Sequence, residues 1–178
     1  MPFLSRRTGD ETFVRVYRAH VDAVYAFFAY SVQRAVAEDL TSQTFERVIK
    51  AWRSYDPAKA SERTWILSIA RNLLTDHYRR ESHRRGVSLD EHPSLADVLG
   101  EAESGFDRIL SDDALRTWLA PLSEREREVV SLRYAAELPA NEIAEITGLS
   151  PANVHQIASR SLRRLRALAK GSKLSDSV

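Results

Sequence analysis

The run EIAEITGLSPANVHQIASRSLRRLRALA, residues 142–169, leaves few folds open to this chain. Two helical stretches are split by Gly148, the residue best able to take the left-handed conformation that ends a helix. Ser150 is placed to cap the second helix, and Pro151 falls in its first turn, where a missing N–H costs nothing. Ile143, Ile146, Leu149, Val154 and Ile157 recur where two crossed helices pack. The start of the second helix (Ala152, Asn153, His155, Gln156) is then left to enter a DNA major groove, followed by phosphate-holding Arg160, Arg163, Arg164, Arg166 and Lys170. The pattern predicts a helix-turn-helix.

Upstream, apolar residues keep the helical period. Thr8 and Glu11 have capping-box spacing and predict a helix start, after which Phe13, Val16, Tyr17, His20, Val21, Val24, Tyr25 and Phe28 form one stripe. His20 on that stripe reads as a packed or hydrogen-bonded histidine. Glu38 and Asp39 are expected to open a second helix, as carboxylates favour the positive helix end, with Leu40, Thr41, Phe45, Val48, Ile49 and Trp52 on its apolar face. Pro57 breaks the pattern. Ser61 caps a third helix expected to reach about Glu81, its core face built from Ile66, Leu67, Ile69, Ala70, Leu73 and Leu74.

The opposite face of that third helix gathers Trp65, Ser68, Asn72, Asp76 and Arg79, flanked by Arg71, Tyr78 and Arg80. An aromatic ring, an amide and several arginines form a platform for an unstacked base and its backbone. A solvated helix face accounts for the same residues taken alone.

Periodicity collapses from Ser82 to about Gly105, where glycine, proline and acidic residues predominate. This predicts a flexible acidic linker over 84–105, between helical domains at 8–83 and 106–171. In the second domain Phe106, Ile109, Leu110, Leu115, Trp118 and Leu119 resume the helical period. Ser123 with Glu126 forms another capping box, ahead of Val129, Val130, Leu132 and Tyr134. The fold class expected is all-α: two small helical domains, the C-terminal one containing the helix-turn-helix.

The net charge of +1 hides segregation: Arg79, Arg80, Arg84 and Arg85 form one basic knot, the linker is acidic, and the C-terminal run is basic again. The chain has no cysteine, which excludes disulfides and cysteine-held zinc and suits a reducing cytoplasm. No apolar run approaches the roughly 20 residues that span a bilayer, so no membrane insertion is expected. Nor do the five histidines show metal-ligand spacing, and no phosphate loop or nucleophile motif occurs. Neither a metal nor a cofactor is expected, and enzymatic activity is not.

Four stretches together resemble the bacterial sigma-factor family, in its extracytoplasmic-function group. They are TFVRVYRAHVDAVYAF, EDLTSQTFERVIKAW, TWILSIARNLLTDHYRR and PLSEREREVVSLRYAAELPANEIAEITGLSPANVHQIASRSLRRLR. The resemblance implies a dissociable subunit that brings core RNA polymerase to promoters and helps melt them. Glu38, Asp39, Ser42 and Gln43 would dock on the polymerase β′ clamp, and the C-terminal domain on the β flap. Trp65, Ser68, Asn72, Tyr78, Arg79 and Arg80 would engage the minus-ten element, Asn72 holding an extruded non-template base. Ser150, Ala152, Asn153, His155, Gln156, Arg160, Arg163 and Arg164 would read the minus-thirty-five element. The partners implied are core polymerase, duplex and single-stranded promoter DNA and, as for many relatives, an anti-sigma protein. Against the family pattern, His155 and Ile157 replace two usual basic positions, Pro139 replaces a capping serine, and Glu62 stands where an aromatic residue is usual.

A free-standing regulator that binds duplex DNA unaided, as a dimer on a palindrome, is the rival reading. It gives the Trp65–Asn72–Arg79 stripe and the Glu38–Asp39 helix no special purpose.

Overall fold

The computed structural model describes residues 3–85 and 112–175, and no strand occurs among them. The first three helices are α1 (Phe3–Ala29), α2 (Arg34–Ala51) and α3 (Glu62–Arg85). They are followed by α4 (Asp112–Leu119), α5 (Glu124–Val130), α6 (Ala140–Thr147) and α7 (Pro151–Ser175). Most of the expected 84–105 linker, together with Phe106, Ile109 and Leu110, lies outside the described residues.

Two helix starts differ from expectation. Thr8 is not a cap, because α1 begins at Phe3 and runs through it; nothing in Leu4–Arg7 opposes helix, so propagation continues past a residue that would cap elsewhere. Glu38 and Asp39 do not open α2 either. The helix starts at Arg34, behind an N-cap at Gln33, and has no acidic residue in its first turn. Arg34 and Glu38 instead form an i,i+4 ion pair at 2.9 Å, a pairing that supports the extra turn.

Where a cap has its full geometry, expectation and structure agree. The Ser61 hydroxyl accepts from the Thr64 amide at 3.1 Å, and Ser150 from the Asn153 amide at 3.2 Å. Ser123 and Glu126 form the complete reciprocal box. Gly148 stops α6 at φ 71°, in the left-handed region.

The helices α1–α3 bury Val16, Val24, Phe27 and Phe28 against Leu40, Phe45, Val48, Ile66, Leu67, Ala70 and Leu73. Burying each large side chain contributes about 1.5–3 kcal/mol. In the second set, Ile143 and Val154 seal the crossing of α6 and α7, while Leu119, Leu122, Val130 and Leu165 form a smaller cluster against Tyr30 and Leu115. After α5 the chain widens into a π turn, Ser131–Ala135, closed by a bond from the Ala136 amide to the Ser131 carbonyl at 2.9 Å. Glu137 then takes φ 55°, a left-handed conformation unusual for a non-glycine residue.

The two sets do not stand apart. Val129, Leu132, Ala136, Leu138 and Ile143 join the core of α1–α3 in one continuous cluster. Polar contacts rim the join. Arg71 Nε donates to Glu128 Oε1 at 2.6 Å, and Glu128 Oε2 accepts from Arg125 at 2.8 Å. Glu142 accepts from the Thr64 hydroxyl and from Ser61 at 3.4 Å, and Arg63 lies 3.7 Å from Glu137.

Candidate nucleic-acid interface

Helix α3 is built to show one face. Ile66, Leu67, Ala70, Leu73 and Leu74 are buried, so the helical period turns Asn72, Arg79 and Arg80 to solvent, with Ser68 and Asp76 half-buried beside them. The Ser68 hydroxyl donates to the Trp65 carbonyl at 2.6 Å. Trp65 closes an aromatic triangle with Trp52 and Tyr55, at ring separations of 5.9 Å and 5.1 Å, and Trp52 and Tyr55 lie 5.4 Å apart. Such contacts are each worth about 0.5–1.5 kcal/mol beyond area burial. The Tyr55 hydroxyl donates to the Ala60 carbonyl at 3.1 Å, pinning the loop that leads into α3.

Beneath that loop, Glu62 braces α3 against α1. Its carboxylate takes both Arg15 nitrogens, at 2.7 and 3.1 Å, and lies 3.3 Å from His20 Nε2. The Arg15 hydrogen bond, aided by the His20 contact, outweighs burial and holds the Glu62 carboxyl below the usual carboxylate range. His20 is thus the hydrogen-bonded histidine that its place on the apolar stripe suggested.

Tyr78 stands apart from the other minus-ten candidates. It is half-buried, its hydroxyl donates to the Ser31 carbonyl at 3.2 Å, and burial pushes its phenol above the usual range. In this arrangement it serves packing, while Asn72, Arg79 and Arg80 remain open. Trp65 is half-buried and packs partly on the core.

On α2, the four docking candidates sit on the outer edge: Glu38, Asp39 and Ser42 are exposed and Gln43 is half-buried. They are already bonded within the helix. Arg34 donates to Glu38, Gln43 Nε2 to Asp39 at 2.6 Å, and the Ser42 hydroxyl to the Glu38 carbonyl at 3.1 Å. Ile49, expected in the core, is 52% exposed and extends the same helix surface as an apolar element.

On α7, Val154, Ala158, Ser161 and Leu165 are buried, which leaves Ala152, Asn153, His155, Gln156, Arg160, Arg163 and Arg164 exposed. Ser150 is exposed, but its hydroxyl is engaged as the cap. Arg164 lies 3.9 Å from Glu126, a loose pair that screens some of its charge. Sequence reasoning missed Glu128 and Glu142 as partners of α3, because nothing local marks an acid that pairs across the chain. Among the described residues no cluster of histidine, aspartate and glutamate could hold a metal ion, and no helix is long and apolar enough to cross a membrane.

This is the arrangement of a sigma-type transcription factor: a three-helix unit with an aromatic, arginine-bearing helix, and a second unit that ends in a helix-turn-helix. Residues 11–84 match the family model of Sigma-70 region 2, and residues 118–167 that of Sigma-70 region 4. The ECF RNA polymerase sigma factor ShbA of Streptomyces griseus is 34% identical over 143 residues, 77% of this chain and 73% of that one. BldN of Streptomyces coelicolor, also an ECF RNA polymerase sigma factor, is 30% identical over 89% of this chain, which spans 60% of that protein's length. The fold resembles sigma factor RpoE of Bartonella quintana, solved with the anti-sigma factor NepR, at TM-score 0.70 and 22% identity over 90% of this chain and 98% of that one. The chain belongs to the ECF RNA polymerase sigma factor family, and its function is that of a sigma factor in transcription initiation.

Proposed function

We propose that the chain docks on core RNA polymerase through Glu38, Asp39, Ser42 and Gln43 of α2 and through its C-terminal unit, on the β′ clamp and β flap respectively. It takes the minus-ten element on α3 and the minus-thirty-five element on the start of α7. The observation that carries this reading is the open face of α3. Asn72, Arg79 and Arg80 stand exposed on a helix whose opposite face is buried in the core, next to an aromatic cluster held by its own loop.

Opening DNA without ATP requires tighter binding to the single strand than to the duplex. An extruded base held by Asn72 beside Trp65 is such a differential contact, and offsets an unstacking cost of about a few kcal/mol. Arg79 and Arg80 supply phosphate contacts, which fix register. On α7, Asn153 and Gln156 are placed to read adenine edges, each worth about 1–3 kcal/mol of discrimination. His155 and Ile157 stand at two positions where the family pattern is basic, so upstream affinity leans on Arg160 and Arg163.

The shared core adds a requirement. The two promoter elements lie about 25 base pairs apart, roughly 85 Å along B-DNA, while a compact chain of this size is about 40 Å across. The α1–α3 and α4–α7 units therefore separate before both elements are held, breaking the Arg71–Glu128 and Thr64–Glu142 contacts. The domain limits we propose are 8–83 and 106–171, with a linker over 84–105 between them.

The protein acts as a non-catalytic subunit in the cytoplasm, where polymerase and chromosome are, and an anti-sigma protein is among the partners we assign to it. A gel shift with and without core polymerase tests the proposal. Promoter DNA is retarded only when both are present; retardation by the chain alone, as a dimer on a palindrome, would establish the rival regulator.

A further inference from the structure

Between α2 and α3 lies an open groove of about 310 Å³, lined by Gln43, Arg47, Asp76, Arg79 and Arg80. Gln43 and Arg47 are one turn apart on α2, and Asp76, Arg79 and Arg80 share a turn of α3, so each set presents a common face. Three guanidiniums meet one carboxylate, an excess of two positive charges. The pairing is loose: Arg47 Nη2 is 4.0 Å from Asp76 Oδ2, and Arg79 Nη1 is 3.9 Å from Asp76 Oδ1. Arg80 Nε is held by the Asp76 carbonyl at 3.2 Å.

Half-exposed pairs of this length contribute little to stability, so folding does not explain why three cations converge here. Their placement does. The groove opens beside the α3 face assigned to DNA, and its far wall is the α2 helix assigned to polymerase. We propose that the groove is a seat for a promoter backbone phosphate, with Arg47 as its contact from α2. Asp76 holds Arg47 and Arg79 in position as an internal anion until the phosphate replaces it. This rests on the reading of α3 as the promoter-facing helix, and gives α2 a DNA contact besides its docking edge.

The test uses holoenzyme assembled from the full chain and core polymerase. Binding is measured by fluorescence anisotropy on a promoter duplex and on the same promoter with a pre-melted bubble, between about 50 and 200 mM salt. Arg47→Ala flattens the slope of log K against log salt by about 0.9 if the phosphate belongs to duplex, or about 0.7 if it belongs to single strand. Between the two salt limits its deficit against wild type changes by about 3.5-fold, fourfold in salt raised to the power 0.9. The loss is the same on matched and mismatched minus-ten sequences, since a phosphate carries no base identity. Arg47→Lys keeps the wild-type slope, and Asp76→Asn tightens binding.

Wild-type slope and affinity for Arg47→Ala on both templates would overturn the seat, as would a loss found wholly in core-polymerase affinity. A wild-type holoenzyme that fails to bind the promoter would overturn the proposed function as well, which separates the two failures.

Discussion

Glu128 is the place to test whether the two helical units must part. Its carboxylate serves Arg71 at 2.6 Å and Arg125 at 2.8 Å, and its side chain is 13% exposed against 25% for Arg71. Removing one partner of a fully buried pair costs about 3–5 kcal/mol. Water reaches Arg71 and screens part of that, so Glu128→Gln should cost the closed arrangement about 1.5–2.5 kcal/mol. In the separated form Arg71 regains solvent and pays nothing. The ratio of open to closed chain therefore rises roughly 10- to 70-fold.

The chain has no native cysteine, so dyes can be placed at Lys59→Cys and Ser159→Cys, both exposed positions. Single-molecule energy transfer should show a low-transfer population growing in Glu128→Gln. Apparent affinity for core polymerase should rise by up to the same factor, because binding draws on the open fraction. Unchanged transfer and unchanged core affinity in Glu128→Gln would refute the reasoning.

Other outcomes follow from the same geometry. Asn72→Ala should lower open-complex formation roughly tenfold while leaving closed binding near wild type, since its contact forms only with an extruded base; permanganate reactivity of the minus-ten thymines reads this out. Asp39→Arg should weaken pull-down by core polymerase with circular dichroism unchanged, because Asp39 is exposed and its hydrogen bond from Gln43 lies within α2. Glu62→Gln should remove an acid-sensitive part of stability. The folded carboxyl titrates below its unfolded value of about 4.3, so the advantage of wild type over Glu62→Gln is full above that value. It shrinks as pH falls through the lower folded pKa, and urea midpoints taken from pH 7 downward should show this. Gly148→Ala should cost about 1–2 kcal/mol through backbone strain alone, since φ is 71° and nothing lies within 4 Å of an added Cβ; thermal melts measure it.

Local signals carried much of this architecture. The α6–Gly148–α7 unit, the Ser61 and Ser123 caps and the core face of α3 were legible because each is decided within a turn or two of chain. The starts of α1 and α2 differ from the sequence expectation for the same reason. Thr8, Glu38 and Asp39 have the chemistry of helix ends, yet helix continues wherever nothing stops it. Contacts between distant parts left no trace. Arg71 and Glu128 are 57 residues apart, and each alone reads as a solvated charge. The bond from the Tyr78 hydroxyl to the Ser31 carbonyl, 47 residues away, has no local signal either. The Arg47–Asp76 approach likewise exists only once α2 and α3 are packed together.

The most direct test of the whole account is permanganate footprinting joined to run-off transcription on a library of promoters. The purified chain is supplied with core polymerase, and each is also supplied alone. Defined transcripts with melted minus-ten thymines should arise only from the combination. Melting or specific retention by the chain alone, or no transcript from the combination on any template, would contradict it.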